Sequence, residues 1–138
     1  MTITKLALLL VCLMSVAAQP KEATKEEPKE AKVTPVSTTD LQNLPGKEGL
    51  TLLVEYPPGS SDPIHRHNAH AFVYVLEGSI VMQVKGGKEV TLMPGETFYE
   101  GPDDVHLVGR NASKTKPAKF LVVLVKDKGA PVLVPVPE

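Results

Sequence analysis

The sequence predicts an all-β protein, a sandwich or barrel of short antiparallel strands, on three observations. From residue 50 onward, about eight short runs rich in β-branched and aromatic residues follow one another, separated by glycine- and proline-rich turns. Within some runs apolar and polar residues alternate with the two-residue period of a half-buried strand. The same region sustains no 3.6-residue apolar period of the kind a core-facing helix needs.

The runs are residues 50–56, 71–76, 79–85, 88–93, 97–99, 105–108, 119–125 and 132–134. Between them stand Pro57-Pro58-Gly59, Glu77-Gly78, Gly86-Gly87, Pro94-Gly95, Gly101-Pro102-Asp103-Asp104 and Gly129-Ala130-Pro131. Gly86-Gly87 is a tight-hairpin signal, because the favoured hairpin turns need positive φ. Glu77-Gly78 reads as another hairpin turn, and Asp103 and Asp104 read as turn formers. In 79–85, Ile80, Met82 and Val84 alternate with Ser79, Gln83 and Lys85, although Val81 interrupts the polar face. Residues 72–76 and 120–125 are apolar on both faces, as central or interface strands are. The valine- and proline-rich tail 131–137 predicts an edge strand, where proline is tolerated, and its apolar character suits pairing with a second copy in a homodimer.

The N-terminus has a different character. One lysine, Lys5, precedes an apolar stretch from Leu6 to Met14, and Ser15-Val16-Ala17-Ala18 follows. That order describes a secretory signal peptide over residues 1–18, cleaved after Ala18, and predicts a secreted or periplasmic protein. The apolar stretch is shorter than the roughly 20 residues a membrane-spanning helix needs, and nothing after it resembles a membrane segment. Residues 19–40 begin QPKEATKEEPKEAK, rich in lysine, glutamate and proline, and predict a disordered linker. The folded domain is then expected over residues 41–138.

Composition excludes several classes. The single cysteine, Cys12, falls in the signal segment, so no disulfide is available to the domain. A net charge of −1 and the lack of a basic cluster argue against nucleic acid. There is no glycine-rich phosphate cradle before a helix and no nucleophile elbow. The partner to expect is a small molecule.

The chemistry is concentrated in histidine. His65-Arg66-His67-Asn68-Ala69-His70 holds three of the four histidines, and His106 follows a Gly-Pro turn further on. Imidazole presents a neutral nitrogen lone pair at physiological pH, and in a strand residues i and i+2 share a face, so His65 and His67 can grip one ion. The competing reading is an exposed polar loop whose histidines have no ligand role. Glu100 lies on the strand leading to His106 and is a candidate base, or an acceptor behind the ligands. Tyr74 is a candidate for orienting substrate through its hydroxyl, against an ordinary core aromatic. Asn111-Ala112-Ser113 has the pattern of a glycosylation acceptor.

Two stretches resemble the signatures of the cupin superfamily. Gly59, then His65-x-His67, and the run Phe72-Val73-Tyr74-Val75-Leu76-Glu77-Gly78 are similar to the first. Pro94-Gly95-Glu96 through Gly101-Pro102, ending in Val105-His106 with Asn111 beyond, is similar to the second. The resemblance covers roughly residues 50–125 and implies a small jelly-roll β-barrel that binds one divalent metal through His65, His67 and His106. The function expected is that of a metal-dependent dioxygenase, isomerase or lyase acting on a small organic molecule; the alternatives are a non-catalytic module that binds a small molecule or metal, and a degenerate cupin with a structural or oligomeric role. The sequence departs from the pattern where a glutamate often follows the second histidine, since Ala71 and Phe72 stand there. His70, just before them, is the candidate fourth ligand. An all-imidazole set favours iron, nickel, copper or zinc over manganese. A second departure is one of spacing, with one residue too many between His106 and Asn111.

Overall fold

The computed structural model describes residues 30–137, and the expected signal segment and the first part of the expected linker lie outside them. Two five-stranded antiparallel sheets face each other. One has the order β1 (Lys32–Asp40), β2 (Lys47–Tyr56), β9 (Ala118–Asp127), β4 (His70–Glu77), β7 (Thr97–Glu100). The other has the order β10 (Val134–Pro135), β3 (His65–Arg66), β8 (His106–Asn111), β5 (Ile80–Val84), β6 (Val90–Leu92). Among the described residues there is no helix. This is the all-β jelly roll expected from the sequence.

The period-two pattern builds the core. Leu50, Leu52, Val54 and Tyr56 of β2 point inward, as do Phe120, Val122 and Leu124 of β9 and Ala71, Val73 and Val75 of β4. Ile80 and Met82 of β5 meet them from the opposite sheet. β9 is the central strand of its sheet and β4 lies beside it, which is why both read as apolar on either face.

Three expectations are corrected. The linker expected over 19–40 gives way at Lys32 to β1, which pairs with β2 from Lys32↔Glu55 to Asp40↔Glu48. Every residue of β1 is exposed, so backbone pairing holds it without a burial pattern, and Pro35 is accommodated at the sheet edge beside a bulge. Glu77-Gly78 is not a hairpin turn, because β4 and β5 belong to different sheets; it is a corner between them. The Gly86-Gly87 turn does join β5 to β6, but pairing stops at Met82↔Val90, so the loop is longer than a two-residue hairpin. The tail forms the expected edge strand, β10, against β3.

A bulge in β8 sets which of its side chains face inward. Between Gln83↔Val108 and Val84↔His106, β8 carries one extra residue, Leu107. Because a bulge shifts side-chain parity by one, His106 and Gly109 are both buried although three positions apart. The surplus residue between His106 and Asn111 is absorbed inside the strand. Asn111 itself is buried, and its amide donates to the Tyr56, Pro57 and Lys116 carbonyls, so it is a structural clamp and not a glycan acceptor.

The corner at Gly78 has a specific steric cause. Its φ is +71°, and a Cβ there would lie 2.5 Å from the Pro117 carbonyl oxygen and 2.8 Å from Ala118 Cα. Gly86 has φ +84° but open space around it. Gly78→Ala is therefore expected to destabilise the protein by about 3 kcal/mol or more, against about 1–2 kcal/mol for Gly86→Ala, in urea denaturation.

Candidate metal centre

β3 and the residue after it deliver the first two donors. His65 pairs directly with His106 across β3 and β8, and both are buried. His67, two residues beyond His65, shares its face. Each ring is fixed from behind. His65 Nδ1 donates to the Pro63 carbonyl at 2.8 Å, and His67 Nδ1 donates to the Val132 carbonyl at 2.6 Å. A carbonyl only accepts, so each ring carries its proton on Nδ1 and presents a bare lone pair on Nε2. Those two Nε2 atoms face each other at 3.3 Å.

No hydrogen bond can join two lone pairs, so the contact calls for a cation between them. Two nitrogens each about 2.1 Å from one ion lie about 3.0–3.4 Å apart, which matches the spacing. His106 Nδ1 is 3.3 Å from His65 Nε2 and completes the imidazole face.

The carboxylate missing from β4 arrives from the neighbouring strand. Glu100, the last residue of β7, is directly opposite Ala71 in the β4–β7 ladder. The alternation of β7 buries Glu100, and its Oε2 lies 3.5 Å from His106 Nδ1 and 3.7 Å from His67 Nε2. That oxygen and His106 Nε2 are buried without a hydrogen-bond partner. An orphaned carboxylate oxygen beside converging imidazoles is the donor set of a cation site. His65, His67, Glu100 and His106 each offer one ligand atom, all within 4.8 Å of one another.

The electrostatics agree. Burial, with the charges of Asp104 and Asp62 adding to it, raises Glu100 to about 7. Burial, reinforced by His65 and His67, lowers His106 to about 4. His67 is lowered too, chiefly by burial and against the bond to Val132. At neutral pH His67 and His106 are therefore uncharged and free to ligate.

His70 and Tyr74 are not part of the site. The chain turns at Asn68 through a left-handed conformation, φ 49°, which asparagine tolerates. β4 then places Ala71, Val73 and Val75 inside and leaves His70, Phe72 and Tyr74 exposed on the outer face. His70 Nδ1 lies 2.7 Å from the Tyr99 hydroxyl, away from the donors. With Glu100 in the fourth place the set is three imidazoles and one carboxylate. Manganese, which an all-nitrogen set disfavours, is admissible in such a set.

The donors line an otherwise apolar cavity of about 100 Å³, walled by Val73, Met82, Phe120, Val132 and Leu133 among others. Tyr56 and Asp62 also line it, their side chains joined by a hydrogen bond from the Tyr56 hydroxyl to Asp62 Oδ2. Neither residue stands out in the sequence. The only available signal was Tyr56 at the end of an alternating strand beside the Pro57-Pro58-Gly59 turn.

The chain belongs to the Cupin_2 family, described as the cupin domain, which matches residues 52–124. No curated protein matches it in sequence. A Klebsiella pneumoniae protein with a double-stranded β-helix domain is 16% identical, with TM-score 0.62 over 87% of this chain and 90% of its own. The TT1209 protein of Thermus thermophilus is 28% identical, with TM-score 0.56 over 72% of this chain and 86% of its own. The DMSP lyase DddQ of Ruegeria pomeroyi is 23% identical with TM-score 0.57, covering 64% of this chain and 43% of its own. This chain thus spans less than half the length of that lyase.

The site predicts opposite effects of one substitution. Glu100 is raised above its ordinary 4.5, so its protonated form favours the metal-free fold below that value, and the contribution is lost as pH rises through about 7. Glu100→Gln is expected to stabilise metal-free protein at pH 8 by about 1–3 kcal/mol, with little change at pH 4. It should also weaken metal binding by at least the roughly 10–100-fold typical of outer-shell losses. His70→Ala should leave metal affinity unchanged. Denaturation curves and competitive metal titration check all three.

Proposed function

We propose that this chain is a metal-dependent cupin acting on a small organic molecule held inside the barrel, with proton-transfer chemistry of the lyase or isomerase type. The observation that carries the reading is the His65/His67/Glu100/His106 group set in the wall of an apolar cavity. A bound divalent ion supplies Lewis-acid polarisation of a ligand oxygen. The chain contributes the rest. His65 and His67 are held in one tautomer by the Pro63 and Val132 carbonyls, so their lone pairs are set before an ion arrives. The aliphatic walls exclude water and strengthen electrostatic effects within. Likeness to a DMSP lyase supports the lyase type.

Dioxygenase-type oxidation is the second reading, favoured by the ligand set itself, since imidazoles with one carboxylate suit iron or copper as well as zinc, nickel or manganese. Untagged protein should contain near-stoichiometric divalent metal. With small hydroxy and keto acids in a sealed oxygen electrode, we expect turnover without oxygen uptake. Uptake matching substrate loss would transfer the assignment to the dioxygenase. Stoichiometric binding without turnover would leave a binding module, and metal at background would rule out all three.

We also propose that the protein is exported after removal of residues 1–18 and pairs with a second copy. The pairing is supported less by the tail than by the outer face of the β1-β2-β9-β4-β7 sheet, where Phe72, Tyr74, Tyr99 and Val123 are exposed together. Native mass spectrometry of the exported fraction should read twice the mass of a chain beginning at Gln19. A monomer, or an unprocessed mass, counts against the respective half of the statement.

A further inference from the structure

Gly109 is surrounded in an unusual way. A Cβ on it would lie 2.9 Å from His106 Cε1, 3.1 Å from the Tyr56 hydroxyl and 3.2 Å from Asp62 Oδ2. Three polar side chains from three parts of the fold thus converge on one point that only a glycine leaves open. One of them belongs to the metal cluster. The other two form the hydrogen-bonded pair on the cavity wall.

The pair is held rigidly. The Asp62 amide donates to the Gly109 carbonyl at 2.7 Å, and the Asn111 amide donates to the Ser60 carbonyl at 3.0 Å. Ser61 bridges to Arg110. Tyr56 packs edge-on against Phe120, with ring centroids 4.9 Å apart, and the Asn111 side chain grips its carbonyl. Burial pushes Tyr56 up, and the neighbouring carboxylate of Asp62 adds to the effect, so the phenol keeps its proton. Among the described residues, Tyr56 is the one side-chain partner found for the Asp62 carboxylate. The rest of its acceptor capacity remains available to the cavity.

We propose that Tyr56–Asp62 is a second polar contact point of the cavity, which takes the hydroxyl of a small hydroxylated carboxylate as a hydrogen-bond donor to Asp62. The inference rests on the metal-dependent reading above and names the substrate class for it. Charge dictates the orientation. A divalent ion with Glu100 leaves one positive charge at the cluster, which suits a carboxylate. The Tyr56–Asp62 end is negative and needs a donor, which suits a hydroxyl. The ligand's O–H bond stays intact and donates to Asp62, so no bond is broken and no oxidant or reductant is involved. Tyr56, donating throughout to Oδ2, positions the carboxylate and tempers its basicity.

The test uses cobalt(II)-loaded protein and two matched probes, lactate and propionate, that differ by one hydroxyl. Cobalt absorption reports their affinities in wild type, Asp62→Asn and Tyr56→Phe. Direct contact of the hydroxyl with cobalt contributes equally in all three proteins and cancels in the comparison. We expect wild type to prefer lactate, and the lactate-to-propionate affinity ratio to fall by about tenfold or more in Asp62→Asn, with a smaller fall in Tyr56→Phe. A ratio within about twofold of wild type in both variants, or no lactate preference in wild type, overturns the inference. Cobalt content separates the two levels: stoichiometric cobalt without the preference sinks this inference alone, whereas failure to load cobalt sinks the metal reading. Tyr56→Phe keeps the ring packing, so the test stands even if Asp62→Asn folds poorly.

Discussion

The rest of the site depends on two imidazole lone pairs held face to face. His65 and His67 are each locked by a backbone carbonyl behind the ring, and neither can turn to relieve the contact without abandoning that bond. The fold therefore holds a local repulsion that a cation resolves. Glu100 adds to the same imbalance, since its buried oxygen finds no proton donor within hydrogen-bonding distance. Such an arrangement costs stability that a bound ion would return, and an ion held there would couple to folding in a small barrel without disulfides.

The position of the carboxylate shows what a β-sheet conserves. A ligand can come from any strand whose register puts it at the same place on the inner face. Ala71 and Glu100 are cross-strand partners, so moving the acid from β4 to β7 displaces it by about one strand spacing, within reach of a longer side chain.

Much of this was legible in the sequence and some of it was not, for identifiable reasons. The inward strands announced themselves through period two, and His65, His67 and His106 through residue type and the family signatures. β1 escaped because all of it is exposed: a strand held by backbone pairing and surface ion pairs leaves no apolar pattern to read. His70 misled because proximity in sequence is not proximity in space. The turn at Asn68 carries the chain into the other sheet, and the parity of β4 does the rest. Tyr56 and Asp62 gave almost no signal, since their pairing brings a strand end to a loop pinned on β8. Glu100 was visible as a polar residue on a strand, but its role as the fourth donor required the ladder register.

The tie between His67 and Val132 has a temporal side. The two residues are 65 positions apart, and the segment that supplies the carbonyl begins only after β9, the central strand of its sheet, is complete. Lys126, buried against Glu48 and the Ala130 carbonyl, sets the direction in which that segment leaves. A nascent chain still lacking it already contains every residue of the donor set, yet one ring has no fixed tautomer. The set of fixed lone pairs is therefore complete only once that segment is in place.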